Sequence, residues 1–434
     1  MAGKQIVIVG GGFGGLHVAQ TLEHEAHKRD AVEVTLISRD NFLLFTPFLT
    51  EALGGMLDEA DVISPLRAFL KKTQFVMGEV TAVDMLAKTV TYRRPLTNES
   101  ETVKADELVL SLGSATSFYG QTDIARHAFT LKSLDDATLL RNHMVALLEQ
   151  ANQETDGHAR QSFLTVAVVG GGYTGVEGAA AIRDFLKECT RDYPKLRSDE
   201  IRVLLIDLSD KILTTIDPSL AEYAKGRLWK QGIELRLGQT ITQMTERAIT
   251  LTKGEEIPCR TVLWAAGVRP SPLTETLDCE KDKRGAIFTN SAMQVKDRPG
   301  VWAMGDCAHI PNPLDKNRPY AGTAQNAERE AKRLARNILA TLRGQEPQPF
   351  KFRSLGEFVN LGHHDAVAQF KSLKFSGFIA WFMWRTVYLA KIPHWSRKLR
   401  VVFGWTTDLV FGRSAVETET SRLLRDRTEA SRSR

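Results

Sequence analysis

Short aliphatic runs alternate along the chain with longer stretches whose apolar positions recur every three to four residues. IVIV (6–9), VEVTLI (32–37) and LVLSLG (108–113) are near-continuous apolar runs, the pattern of strands buried on both faces. Helical spacing over 13–28 makes the opening a strand–helix–strand unit. The scheme returns as strand 164–169, helix 174–188 and strand 202–206. Between the two units, 135–153 has helical spacing that is lost in the polar stretch ETDGHARQS, which predicts a boundary there. TRDYPKLRSDEIR (190–202) reads as a charged surface loop. Further strands are predicted in IELRLGQTITQMT, AITLTK, TVLWAAG (261–267) and VWAMGD (301–306), followed by a helix over 324–342. Strands alternating with helices predict an α/β fold with parallel sheets.

Each strand–helix junction carries a glycine fingerprint. Gly10-x-Gly12-x-x-Gly15 follows the first strand, with Phe13 and Gly14 between, and Gly170-x-Gly172-x-x-Gly175 follows the second unit's strand, with Thr174 inside it. The first glycine makes the turn, the second lets a pyrophosphate touch backbone, and the third lets the helix pack closely. Ala19 and Ala179 stand at the same offset in the two helices. A lone fingerprint is weak; the repeat predicts two Rossmann-like domains, two dinucleotides and electron transfer between them.

Composition narrows the class. A chain of 434 residues, 43% hydrophobic and 25% charged, has room for two or three ordinary cores. Cys189, Cys259, Cys279 and Cys307 form no CxxC or CxxxxC pair, which argues against a metal site, a disulfide scaffold and a redox dithiol. The first strand starts almost at the initiator Met, so no leader is expected and the catalytic domains are assigned to the cytoplasm. The net charge of +5 is unevenly spread: residues 371–413 hold eight basic side chains against Asp408 alone. That concentration points to a local partner, and no nucleic acid is expected. The same stretch holds four of the seven tryptophans, Trp381, Trp384, Trp395 and Trp405. Its longest apolar run, 378–384, is far short of the roughly 20 residues that span a bilayer. An Arg/Ser-rich tail after 424 is expected to be disordered.

Several polar residues are candidate ligands. Asp207 ends VLLID, where an acid accepts from an adenosine 2′-hydroxyl and repels a 2′-phosphate, favouring NADH over NADPH; a loop or cap role is the alternative. The matching position in the first unit is Ser38, followed by Arg39, so the usual acid is missing there. Asp306 closes VWAMGD beside Gly305, and at a strand end it would bond a flavin's ribityl hydroxyls; with Gly113 it suggests FAD, the alternative being a turn cap. Glu177 lies just inside the second nucleotide helix, where it either contacts the nicotinamide end of NADH or merely favours the helix dipole.

These motifs resemble the type II NADH dehydrogenases, flavoenzymes that pass electrons from NADH to membrane quinone. The similarity runs from residue 5 to about 413 and rests on GGGFGG, NFLLFTPFL, GSATSFYG, AFTLKSLDDATLLRNH, GGGYTGVE, WAAGVRPSPL and GDCAHIP. It implies FAD held by residues 1–130 and 290–350, with Thr46 and Pro47 near the isoalloxazine. It further implies NADH held by 131–289, including Gly267, and a membrane-associated region over 351–434. The family helix AQxAxQ or AQxAxR is present as Ala324 to Arg329, so Gln325 is carried over as a catalytic wall of the quinone pocket. Arg329 stands where many members have a second glutamine, and Ser38 is a second departure. Glu328 to Arg333 otherwise reads as a solvated helix.

The C-terminal stretch is similar to the family's membrane anchor. A helix over 375–391 would be apolar almost all round, with Arg385 amid Phe378, Trp381 and Leu389, snorkelling to lipid phosphate or pairing within the protein. Trp381, Trp384, Trp395, Arg385, Lys398 and Arg400 are the docking candidates. A dimer interface or a buried helix is the alternative, and a homodimer is compatible with docking. The expected function is non-pumping NADH:quinone oxidoreduction at the cytoplasmic face of a bacterial membrane. Two alternatives remain: a sulfide:quinone oxidoreductase using Cys307, and an NADH-sensing flavoprotein resembling apoptosis-inducing factor.

Overall fold

Lys4–Val9, fully buried from Ile6 through Ile8, is the middle strand of a five-stranded parallel sheet. The order is Val301–Ala303, Glu107–Leu110, Lys4–Val9, Val32–Ser38, Gln74–Met77. A computed structural model describes residues 3–27, 30–392, 395–413 and 415–416. The chain divides into two compact units, the first made of residues 1–44, 63–115 and 268–354. Helix Phe13–Glu25 packs on helix Ala324–Leu342 in this unit. Its core joins Ile6, Ile8, Val18 and Leu22 to Trp302, Leu334 and Ile338. Glu79–Asp84, Thr89–Arg93 and Ser100–Lys104 form an antiparallel meander whose middle strand turns Val90 and Tyr92 inward.

The second unit comprises 45–62, 116–267 and 355–434. Its parallel sheet has the order Ile233–Leu237, Arg202–Asp207, Thr165–Val169, Thr261–Trp264. Thr165–Val169 is buried at every position, as a central parallel strand should be. Helix Leu134–Gln153 starts at a capping box, Ser133 accepting from the Asp136 N–H while the Asp136 carboxylate accepts from the Ser133 N–H. The C-terminal part is an antiparallel sheet, Glu357–Asn360, Ala366–Phe370 and Leu373–Gly377, followed by helices Phe378–Lys391 and Trp395–Phe411.

Three local expectations are corrected. The polar stretch after 153 contains a helix, Gly157–Leu164, because Asp156 accepts from the His158 and Ala159 N–H groups and so starts it. The predicted helix over 375–391 begins only at Phe378: Phe375 is paired in a strand with Ala368, and Gly377 at φ 75° makes the break. Asp306 does not close a strand, which ends at Ala303; it sits in a 3₁₀ turn, Gly305–Cys307, after Gly305 takes φ 67°. The tail after 424 lies outside the described residues.

Candidate nucleotide and quinone sites

In the first unit Gly10 has φ 105°, and a Cβ there would lie 2.1 Å from the Ser111 carbonyl oxygen. A Cβ on Gly15 would lie 1.9 Å from the Gly10 oxygen, so the helix can close on the turn only without one. On Gly12 a Cβ would meet nothing within 4 Å. Helix Phe13–Glu25 therefore begins at a bare glycine with no side-chain cap, the kind of N-terminus that suits an anion. Phe13 is half-buried, and Gly14 is held closely against Ser111 and Met304. Ser38 is buried beside Gly11, whereas Arg39 is exposed and pairs with Asp40 at 3.2 Å.

Asp306 lies in the same unit. Its Oδ2 accepts from the Ser114 hydroxyl at 2.6 Å, and Gly322 passes so close that a Cβ would lie 2.5 Å from Oδ1. Gly113, at φ 66°, accepts from the Ser271 N–H through its carbonyl. One residue of this unit carries a role that the sequence reading does not assign. Glu330 is 2% exposed, not solvated as its helix's polar text implied, and its Oε2 accepts from the Gly305 N–H at 2.8 Å. Burial pushes its carboxyl up to about 7. The signal was present: Glu330 shares the stripe of Ala327, Ala331, Leu334 and Ile338, the buried face of helix Ala324–Leu342.

Gln325 lies in the first turn of that helix, behind the Thr323 cap, and its Oε1 accepts from Ser354 at 3.4 Å. Arg329 bonds back to the Gln325 carbonyl at 2.9 Å and lies over the Phe352 ring at 4.5 Å. Its guanidinium is thus stacked within the unit.

The second unit repeats the turn. Gly170 has φ 118°, a Cβ on Gly175 would lie 1.7 Å from the Gly170 oxygen, and Gly172 again opens on empty space with no side-chain cap. Thr174 is exposed on the following turn. Asp207 Oδ2 accepts from the Gly171 N–H, and Oδ1 accepts from the Ser209 N–H at 2.7 Å. Those bonds hold the carboxylate at the mouth of the glycine turn. Gly267 is covered by Tyr119, whose hydroxyl donates to the Ala266 carbonyl at 3.1 Å.

Glu177 is turned toward the C-terminal strand, its Oε1 accepting from the Asn360 N–H at 2.9 Å. Burial, with a smaller push from Glu51, raises its carboxyl to about 8. Tyr173, at the variable position of the fingerprint, donates to Glu357 and accepts from Thr215 at 3.0 Å, tying the nucleotide turn to the C-terminal sheet. No sequence signal marked that pair.

Thr46 and Pro47 open a 3₁₀ turn in the second unit and lead into Phe48, which is fully buried. Phe48 packs on Trp384 and Trp405, each 5.7 Å between ring centroids. Trp384, at 1% exposure, is therefore a core residue and has no surface to offer a bilayer, contrary to its place among the docking candidates. Arg385 is likewise turned inward, stacked on Trp381 at 4.1 Å and Trp405 at 4.5 Å. Trp395 and Arg400 are exposed, and Lys398 lies over the Trp395 ring. Phe378, Ile379, Phe382, Phe403 and Phe411 form a further exposed apolar set at 59–84%. Among the described residues, no helix is long and apolar enough to cross a membrane.

Cys307 is buried, and desolvation pushes its thiol up to about 12; it has no disulfide partner. A thiol so placed is a poor nucleophile, which weighs against sulfide chemistry at this position.

Residues 4–331 match the family model described as pyridine nucleotide-disulphide oxidoreductase, and 355–414 match the NDH2 C-terminal domain. The type II NADH:quinone oxidoreductase NdhA of Mycobacterium tuberculosis is 31% identical over 92% of this chain and 86% of its own. The demethylphylloquinone reductase NdbB of a Synechocystis species is 31% identical over 94% and 96%. The fold is shared with NDH2 from Plasmodium falciparum, solved with NADH, at a TM-score of 0.87 and 20% identity over 95% and 99% of the two chains. With its two matched glycine turns and its C-terminal domain, the chain belongs to the type II NADH:quinone oxidoreductases of the pyridine nucleotide-disulphide oxidoreductase family.

Proposed function

We propose that the second unit binds NADH, that the first binds FAD, and that electrons leave to a quinone at a membrane surface. The observation that carries this reading is the paired turn: two bare helix N-termini, each opened by a glycine that nothing crowds. FAD, when bound, supplies the hydride-accepting and electron-relaying chemistry that no side chain can. The residues of the first unit suit it. Gly10 to Gly15 offer backbone N–H groups to a pyrophosphate, while Ser38 and Asp306 stand ready for ribose and ribityl hydroxyls. Phe13, Gly14, Arg39, Gly113 and Gly305 complete that set. Glu330, bonded to Gly305, keeps the Asp306 turn in register.

In the second unit Gly170, Gly172, Thr174 and Gly175 receive the NADH pyrophosphate, and Asp207 accepts from the adenosine ribose. Gly267 is assigned to the nicotinamide end, beneath the Tyr119 ring that covers it. Glu177 is assigned to the nicotinamide end of NADH. Gln325 and Arg329 are assigned to the quinone pocket, and Thr46 and Pro47 to the isoalloxazine of the flavin.

Two predictions test this assignment. Asp207→Ala is expected to lower the NADH-over-NADPH selectivity in kcat/KM by about tenfold or more, because a charged acceptor is lost and a repulsion removed. General loosening of the turn would slow both nucleotides alike, so an unchanged ratio refutes the ribose role. Peripheral docking is assigned to the exposed faces of Phe378–Lys391 and Trp395–Phe411. Phe403 and Phe411 are 72% and 84% exposed, so charging them should not disturb the core. The double variant Phe403→Asp, Phe411→Asp should reduce sedimentation with lipid vesicles by more than about tenfold, given roughly 1.5–3 kcal/mol for each buried phenylalanine. Wild-type sedimentation would remove these helices from the anchor.

A further inference from the structure

A cavity of about 890 Å³ lies wholly within the second unit, between helix Tyr173–Cys189, the loop after it, and the two C-terminal helices. Its wall includes Arg183, Lys187, Arg191, Arg385 and Arg413 against Asp184, Glu188 and Asp408. The acids are already engaged. Asp184 pairs with Arg183 at 2.6 Å, Asp408 with Arg413 at 3.0 Å, and Glu188 with Arg413 at 3.5 Å. Lys187 and Arg385 make no ion pair among the described residues, although the buried Glu51 carboxyl lies near Arg385, and the wall itself keeps an excess of positive charge.

Two guanidinium groups of this wall are held rigidly. The Arg413 side chain is 8% exposed, yet its Nη1 has no hydrogen-bond partner among the described residues. Arg385 Nε is also buried without one, while its plane is clamped between Trp381 and Trp405. Both of these atoms are closed to water, so they mark how tightly the two guanidiniums are held, and it is the wall's excess of positive charge that calls for an anion. Fixed guanidinium forks match phosphate oxygens better than any other common anion. The volume is far larger than a bare ion requires and falls in the range of sites for whole organic molecules. Trp381, Leu409 and Phe411 supply an apolar wall, and Leu409 and Phe411 continue onto the exposed apolar face at 65% and 84% exposure.

We propose that this cavity binds a phosphate group carried on an amphiphile, the phosphate held by Arg385, Arg413 and Lys187 and the apolar body by Trp381, Leu409 and Phe411. The inference rests on the membrane-docking reading only for its source of phosphate, a lipid headgroup; the cavity chemistry stands without it. The ligand would seat helix Trp395–Phe411 at a defined depth, because Arg413 lies two residues beyond its end.

The test uses the full-length, FAD-loaded protein and a six-carbon phosphatidylglycerol kept below its micelle concentration. Saturable thermal stabilisation is expected, together with a change in tryptophan emission from Trp381. An alkyl maltoside of matched chain length should give neither. Lys187→Gln should weaken the lipid response about fivefold while leaving NADH oxidation with a water-soluble quinone unchanged. Arg385→Lys, which keeps the charge but loses the fork, should weaken it as well. If inorganic phosphate alone saturates the response as tightly as the lipid, the phosphate site stands and its ligand is a soluble one. A lipid response absent in the wild type, or equal in both variants and the wild type, overturns the site. Sedimentation with phosphatidylglycerol vesicles keeps the two readings apart. Vesicle binding without saturable short-chain binding sinks the cavity site alone, and loss of both sinks the docking reading too.

Discussion

Gly175→Ala is expected to abolish useful NADH oxidation while the protein still purifies yellow. A Cβ at this position would come 1.7 Å from the Gly170 oxygen and 2.9 Å from its carbonyl carbon, both backbone atoms that cannot swing aside. The helix must therefore back away from the turn, and its N–H groups no longer converge where a pyrophosphate would sit. A loss of about 3 kcal/mol in nucleotide binding corresponds to roughly 100-fold in kcat/KM for NADH. Gly15→Ala makes the mirror-image case, with its Cβ 1.9 Å from the Gly10 oxygen, and should instead yield protein depleted of flavin. Steady-state kinetics and the visible spectrum of the two variants read the outcomes separately. Wild-type KM for NADH in Gly175→Ala would contradict the assignment of the second turn.

The second large effect concerns Glu51. Its carboxyl is fully buried, Oε2 accepts from Trp405 Nε1 at 2.7 Å, and burial raises its pKa from 4.5 to about 7 despite the nearby Arg385. The folded state therefore binds a proton more tightly than the unfolded chain does. Below about pH 4.5 both states are protonated and no penalty applies. Between there and pH 7 the unfolded state ionises first and stability falls; above pH 7 the penalty is complete, at most on the order of 3 kcal/mol. Glu330 and Glu177, raised to about 7 and about 8, add slopes of the same sign. Glu51→Gln keeps an acceptor for Trp405 and removes the ionisation. It should melt higher than the wild type at pH 9 and show a flatter pH dependence between 5 and 9. Trp405→Phe, which orphans the carboxyl, should cost about 1–3 kcal/mol already at pH 6. Thermal melts across that range decide the matter, and an unaltered slope in Glu51→Gln would show that its proton is not held by burial.

The parts visible in the sequence are those whose physics is local. A buried parallel strand has to be apolar throughout, and a glycine turn has to have glycines, so Lys4–Val9, Thr165–Val169 and both fingerprints stood out. Helix Ala324–Leu342 has the bounds its periodicity predicts. What stayed hidden depends on partners distant in sequence. Glu51 is buried where Trp405 supplies a donor that its own neighbours do not reveal, and for Glu330 the helix stripe reveals the burial but not the Gly305 donor. The basic, aromatic surroundings of Trp384 suggest an interfacial anchor, but Phe48, over 300 residues earlier, claims its ring. Arg385 is stacked between Trp381 and Trp405, within the protein rather than toward a lipid phosphate. The short helix Gly157–Leu164 was masked by polar composition, although Asp156 is a good cap. Its amphipathic signal is too short to register.

The most direct measurement is anaerobic addition of NADH, then a soluble quinone, to the purified FAD-loaded protein while flavin absorbance and both substrates are followed. Bleaching of the bound flavin by NADH, its recovery on adding quinone, one quinone reduced per NADH consumed, and a much weaker response to NADPH are the predicted results. A polypeptide that retains no flavin when FAD is supplied, or a flavin that NADH leaves oxidised, would contradict the account at its root.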